Sequence, residues 1–182
     1  MGEIVLDALK ETLIMVFTST IFAVILGFIP AILLTVTAND GLKPNKIIYN
    51  ILDFIVNTLR SFPFVILMVI IVPLTRFIVG KSIGTTAAIV PLTIAAAPFV
   101  ARVIESSLRE VDKGVIEAAK AFGASNFQII FKVMLKEAIP SIMSGITLTI
   151  ISIVGYSAMA GAIGGGGLGD VAIRYGYQRF QT

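Results

Sequence analysis

Residues 12–39, 82–101 and 138–169 of this chain run without a single charged side chain and are dominated by aliphatic and aromatic residues. Each run is long enough to cross a hydrocarbon core, which takes about 20 apolar residues of helix. In that medium every backbone polar group must be satisfied internally, so such segments are helical. A fourth region is less clean. Residues 61–75 are uncharged but lie between Arg60 and Arg76, so they span only if the helix extends past its flanking charges. Residues 47–59 are largely apolar apart from Asp53, Asn57 and Thr58. That pattern predicts one long helix whose lower end leaves the membrane, with arginines snorkelling to the interfaces. The expectation is an all-α polytopic membrane helix bundle, a single domain over residues 1–182, with spans near 12–38, 54–79, 83–102 and 138–163.

Composition narrows the chemistry further. Apolar residues make up 57% of the chain and charged residues only 14%, against roughly a quarter charged in soluble domains. With no histidine and no cysteine, the usual zinc, haem and iron–sulfur ligand sets are out of reach, as are histidine-dependent hydrolases. No cofactor, metal or catalytic residue is expected. The net charge of +3 is small, and no nucleic-acid site is read from it. Glu3, Asp7 and Glu11 near the start are unlike the basic region of a cleaved signal peptide. The first hydrophobic segment is therefore expected to remain in the membrane, preceded by a short interfacial helix. If the four spans alternate, Lys43 and Lys46 fall on the same side as the basic residues of segment 102–137, and the positive-inside rule assigns that side to the cytoplasm.

Segment 102–137 holds nearly half of the charged residues and must stand out of the hydrocarbon, yet it reads as ordered. Asp112 can cap a helix beginning at Lys113, Lys113 and Glu117 sit at i and i+4, and Gly123 falls where a left-handed residue ends a helix. Ser125 and Gln128 have capping-box spacing. Ile129, Ile130, Val133 and Met134 then recur at helical spacing opposite Lys132 and Lys136, and Pro140 closes or kinks that second helix. Two short helices over roughly residues 112–137 thus face the cytoplasm. They are either an amphipathic connector on the lipid surface or an element that docks on a soluble partner. Ala118, Ala119, Ala121, Gly123 and Ala124 leave a nearly bare face, which suits close approach by another backbone better than burial in lipid.

Glu117, Ala118, Ala119 and Gly123 reproduce the Glu-Ala-Ala-x-x-x-Gly core of the cytoplasmic coupling loop in bacterial ABC importer permeases. Beyond that motif the chain resembles the permease subunit of methionine-type ABC importers. The resemblance is carried by Ser61-Phe62-Pro63-Phe64, by Val79-Gly80-Lys81-Ser82-Ile83-Gly84, by Ala97-Pro98-Phe99-Val100-Ala101-Arg102, and by Val154-Gly155-Tyr156-Ser157-Ala158-Met159-Ala160-Gly161 and the glycine-rich stretch to residue 169. It implies a multi-pass protein of the bacterial inner membrane that pairs with a second copy of itself. It also implies two cytoplasmic ATP-binding subunits and an external substrate-binding lipoprotein. The coupling-loop residues Glu117, Ala118, Ala119 and Gly123 would contact the ATPase. Two departures stand out. The longer pattern has proline where this chain has Lys136, with Pro140 four residues later, and permeases of this type have five membrane helices. The fifth is expected after the Tyr175-Gly176-Tyr177-Gln178-Arg179-Phe180 stretch and is absent from the sequence.

Several residues admit two readings. The Gly164 to Gly167 run lacks the lysine and hydroxyl of a P-loop. It is either a flexible helix exit or a hinge or tightly packed gate, the latter suggested by Gly161 and Gly165 at small-xxx-small spacing. Tyr156, Ser157 and Met159 suit a path for an amino acid with an apolar side chain, or simply pack the dimer. Asp53, Asn57 and Arg60 share one helical face, which is either the wet end of a helix or a lining of the inner mouth. The leading functional expectation is the membrane subunit of an ATP-driven importer for an amino acid, with methionine first. A secondary transporter and a membrane scaffold are the rivals, the former disfavoured because the long uncharged runs hold no ionisable group.

Overall fold

The computed structural model describes residues 2–179, and no strand occurs among them. Helix α1 (Gly2–Thr37) leads to α2 (Lys46–Ser61), α3 (Phe64–Val79) and α4 (Thr85–Arg109). A short α5 (Lys113–Ala121) precedes the longest element, α6 (Asn126–Gly165). The described chain finishes in α7 (Gly167–Val171), which runs on as a π-helical segment over Ala172–Tyr177. Three of these helices, α1, α4 and α6, are long and apolar enough to cross a membrane, and the bent pair α2 and α3 raises the count to four if it is one span.

Helix α4 is the centre of the bundle, packed most extensively along α1 and also against α2, α3 and α6. Small residues allow this. A Cβ at Gly27 of α1 would lie 2.6 Å from the Ala97 carbonyl oxygen of α4, and Ala23, Ala31, Ala96 and Ala101 are buried along the same seam. In a membrane, helices gain little from hiding apolar surface from lipid, so close backbone approach and dispersion hold such pairs together. Ile25, Ile29, Val69 and Phe77 point outwards and stay exposed, as lipid-facing side chains should.

Three local expectations change. The long helix expected over 54–79 is broken, with α2 and α3 meeting at 108°. Pro63 forces its predecessor out of the helical region, and Phe62 sits at φ −70°, ψ 129°. The interfacial helix expected before the first span is instead continuous with it in α1. At the other polar segment, Pro140 neither ends nor separates the helix but lies inside α6. A π-helical stretch at Ile129–Met134 just upstream shifts the register so that Ile129, Ile130 and Met134 all turn inward. Phe180, the last residue of the stretch that precedes the expected fifth span, lies outside the described residues.

The bundle has two distinct ends. One holds the α1–α2 turn, α5 and the start of α6, where the Lys43 amide donates to the Val36 carbonyl at 3.0 Å. The other brings the glycine run onto α1. There Glu11 Oε2 accepts the Gly167 amide at 2.7 Å, Thr12 Oγ accepts the Leu168 amide at 2.9 Å, and the Gly84 amide donates to the Gly164 carbonyl at 2.8 Å.

Candidate functional site

Helix α5 projects from the polar end and buries none of its residues. A helix of this length is marginal on its own, so its ends must hold it. At the start, Asp112 Oδ1 accepts the Gly114 and Val115 amides at 2.6 and 3.3 Å. At the finish, Gly123 has φ 78°, its amide donates to Lys120 at 2.9 Å, and the Ala124 amide donates back to Ala119 at 3.1 Å. This is a Schellman closure, which needs a residue that accepts the left-handed conformation. The next helix starts at once with a reciprocal capping box: the Gln128 amide donates to Ser125 Oγ at 3.3 Å and the Ser125 amide donates to Gln128 Oε1 at 2.9 Å.

The four motif residues therefore lie together on one short element. Glu117, Ala118 and Gly123 are exposed, while Ala119 is half-buried against the base of the bundle. The expected Lys113–Glu117 pair gives way to another partner, because Lys113 Nζ lies 3.8 Å from Asp40 Oδ2 in the α1–α2 turn. Glu117 stays exposed at the rim of the cleft between α5 and the bundle. Beside it, Phe122 is 91% exposed and Phe127 is 66% exposed on the same projecting end. Phe127 packs on Phe131 at 4.5 Å between centroids, and Phe131 lies 6.3 Å from Phe28 of α1, so Phe122 alone projects from the turn as a large exposed apolar ring.

Behind α5 lies a charge cluster that the sequence pattern did not reveal. Glu105 of α4 is 2% exposed. It accepts from Arg102 Nη1 at 2.7 Å and from the Tyr49 hydroxyl at 3.4 Å, and Arg109 Nη1 lies 3.6 Å away. Arg102 Nη2 donates to Asp53 Oδ1 at 2.6 Å and to Asn57 Oδ1 at 3.0 Å on α2. Arg109 Nη2 donates to Asp40 Oδ1 at 3.1 Å. The spacing of Arg102, Glu105 and Arg109 at i, i+3 and i+7 is legible as one helical face, but the partners on α2 and in the first turn are remote in sequence. Asp53 and Asn57 thus serve this cluster, whereas Arg60 turns away and stacks over the Phe99 ring at 5.8 Å.

A cleft of about 500 Å³ opens next to it, lined by Asn57, Arg60, Ser61, Ala95, Phe99 and Tyr156. Its volume is within the roughly 300–1,000 Å³ of small-molecule sites. The Tyr156 ring stacks on Phe64 at 4.9 Å between centroids. Of the path candidates, only Tyr156 reaches this cleft. Ser157 is buried and its hydroxyl donates to the Val154 carbonyl at 2.7 Å, while Met159, one turn beyond Tyr156 on α6, is exposed and does not line the cleft. Gly161 and Gly165 are buried where the chain folds back from α6 into α7: a Cβ at Gly161 would meet the Asp170 amide at 2.5 Å, and one at Gly165 the Ala160 carbonyl at 2.7 Å.

The family described as the binding-protein-dependent transport system inner membrane component matches residues 23–180. The probable D-methionine transport system permease protein MetI of Vibrio cholerae is 52% identical over 98% of this chain and 80% of its own length. The D-methionine transport system permease protein MetI of Escherichia coli strain K12 is 50% identical over 83% of this chain and 70% of its own. An inward-facing structure of the MetNI methionine ABC transporter superposes with a TM-score of 0.95 at 47% identity, covering 97% of this chain and 82% of the matched one. A crystal structure of an amino acid ABC transporter with histidines shares the fold, with a TM-score of 0.79 at 22% identity over 99% of this chain and 81% of that one.

Proposed function

The chain belongs to the inner membrane component family of binding-protein-dependent transport systems, and from that premise we propose that it is the membrane-spanning permease subunit of an ATP-driven importer whose cargo is methionine. It works in the bacterial inner membrane as one of a pair. It hydrolyses nothing itself; ATP is bound and split by separate cytoplasmic subunits, and cargo is delivered by an external binding protein. Transport alternates access to the two sides as the ATPase changes state, because ATP binding favours one arrangement of the subunits over the other.

The observation that carries the contact assignment is the exposed α5, closed at both ends and flanked by Phe122 and Phe127. In this reading Glu117, Ala118, Ala119 and Gly123 form the ATPase-facing surface, and the cleft beside Tyr156 belongs to the translocation path. Ser157 and Met159 follow Tyr156 on α6 without lining the cleft, and Gly161 and Gly165, in the tight turn between α6 and α7, act as the gate. The buried Glu105 is paired with the partly exposed Arg102 in the last turns of α4, so its charge is committed to a structural ion pair.

Reconstitution with the ATPase subunit and the binding protein in proteoliposomes tests this directly. Methionine should accumulate only when ATP is supplied inside; accumulation driven by a sodium or proton gradient without ATP refutes it. Glu117→Arg and Gly123→Trp should each abolish binding of the ATPase subunit. Undiminished assembly by both variants removes α5 from the contact.

A further inference from the structure

We propose that Glu105 is a positioning residue that ties the ATPase-facing helix α5 to the cleft-lining helix α2, so that displacement of one moves the other. The proposal rests on the permease reading above and assigns the internal linkage that reading leaves open.

The linkage is continuous. Lys113, the first residue of α5, lies 3.8 Å from Asp40, and Asp40 accepts from Arg109 at 3.1 Å. Arg109 faces Glu105 at 3.6 Å, Glu105 holds Arg102 at 2.7 Å, and Arg102 reaches Asp53 and Asn57 of α2 at 2.6 and 3.0 Å. Tyr49, one turn before Asp53 on α2, donates to Glu105 Oε1 at 3.4 Å. Asn57 in turn lines the cleft with Arg60 and Ser61. Every step joins two elements or two turns of α4, and charge alternates in sign along the whole row.

Within this row of side-chain contacts, Glu105 joins the two halves. Its two oxygens divide the work: Oε2 takes Arg102, while Oε1 takes Tyr49 and faces Arg109. Arg102 and Arg109 border an open cleft of about 280 Å³, while at 2% exposure the carboxylate itself is shielded from water. Opposite charges in such surroundings attract strongly and are little screened. The outer links, by contrast, are half-exposed, with the Asp40 side chain at 47% and Arg109 at 41%. A cleft of about 130 Å³ also separates α5 from the bundle, lined by Thr35, Asp40, Leu108, Arg109, Lys113 and Glu117 among others. Helix α5 is thus seated on the bundle through Ile116 and Ala119 and linked by polar contacts across the cleft, while the buried hub fixes which helix follows.

The test uses the full complex in proteoliposomes, reading ATP hydrolysis and methionine uptake in the same vesicles. Glu105→Gln keeps the shape and removes the charge; Asp40→Asn cuts the outer link at an exposed site where folding is not at stake. Both variants should bind the ATPase subunit with wild-type affinity and hydrolyse ATP, yet move about tenfold less methionine per ATP, a mid-range coupling between sites. Glu105→Asp, which restores the charge on a shorter arm, should recover part of that ratio. Unchanged uptake per ATP in Asp40→Asn overturns the linkage, even if Glu105→Gln fails to assemble. So does a loss in Glu105→Gln that Glu105→Asp does not relieve. A wild-type complex with no ATP-driven uptake would instead sink the permease reading itself, which separates the two failures.

Discussion

Replacing Gly123 by alanine isolates one property of the projecting helix. The residue has φ 78°, and a Cβ built there meets nothing within 4 Å. Any penalty is therefore conformational, since there is no neighbour to clash with. Holding an L-residue in the left-handed region costs roughly 1–2 kcal/mol, and α5 has no buried side chain to offset it. That cost falls on the two closing hydrogen bonds, Gly123 to Lys120 and Ala124 to Ala119. An energy of one to two kcal/mol corresponds to about a 5–30-fold change in the ordered population. Amide exchange in α5 and at Ala124 should accelerate by that factor in the isolated permease, and affinity for the ATPase subunit should fall by a similar one. Asparagine tolerates the left-handed region better, so Gly123→Asn should lose less than Gly123→Ala. Wild-type exchange rates in Gly123→Ala, or equal damage from both substitutions, would refute the reasoning.

Two further outcomes follow from the packing. Gly27→Val places a Cβ 2.6 Å from the Ala97 carbonyl oxygen in the largest helix contact, and should cost about 1–3 kcal/mol, read as a lower thermal midpoint in detergent. Glu11→Ala releases the Gly167 amide from its carboxylate partner; amide exchange at Gly167 should rise while ATPase-subunit binding at the opposite end stays unchanged, because the bond is local.

Local chemistry was readable wherever it lay within one or two turns of itself. The Asp112 cap, the Ser125–Gln128 box and the left-handed Gly123 each involve residues at most a few positions apart, and each formed as the spacing required. Lys113 shows where that reasoning stops. Its i+4 neighbour Glu117 was the nearest carboxylate in sequence, but the folded chain carries the α1–α2 turn beneath α5 and puts Asp40 in reach. The same holds for Arg102, whose partners Asp53 and Asn57 are on another helix. Pro63 and Pro140 make the matching point for backbone. Both are disruptive in isolation, yet Pro63 sits at the 108° bend between α2 and α3 while Pro140 lies inside a continuous helix.

What the sequence determined by itself is the medium and the local chemistry: uncharged runs long enough to cross a bilayer, and one charged segment whose Glu117, Ala118, Ala119 and Gly123 form a capped helix and turn. Those depend on transfer free energy and on hydrogen bonds between near neighbours, which any chain with these residues carries along. Tertiary structure alone decided that Glu105 is buried between two arginines and a tyrosine, that Asp53 and Asn57 serve this cluster while Arg60 faces the cleft, and that Tyr156 but not Ser157 or Met159 reaches it. A buried charge is tolerable only where partners from other elements converge on it, and that convergence is set by how closely α4 packs on its neighbours rather than by any spacing along the chain.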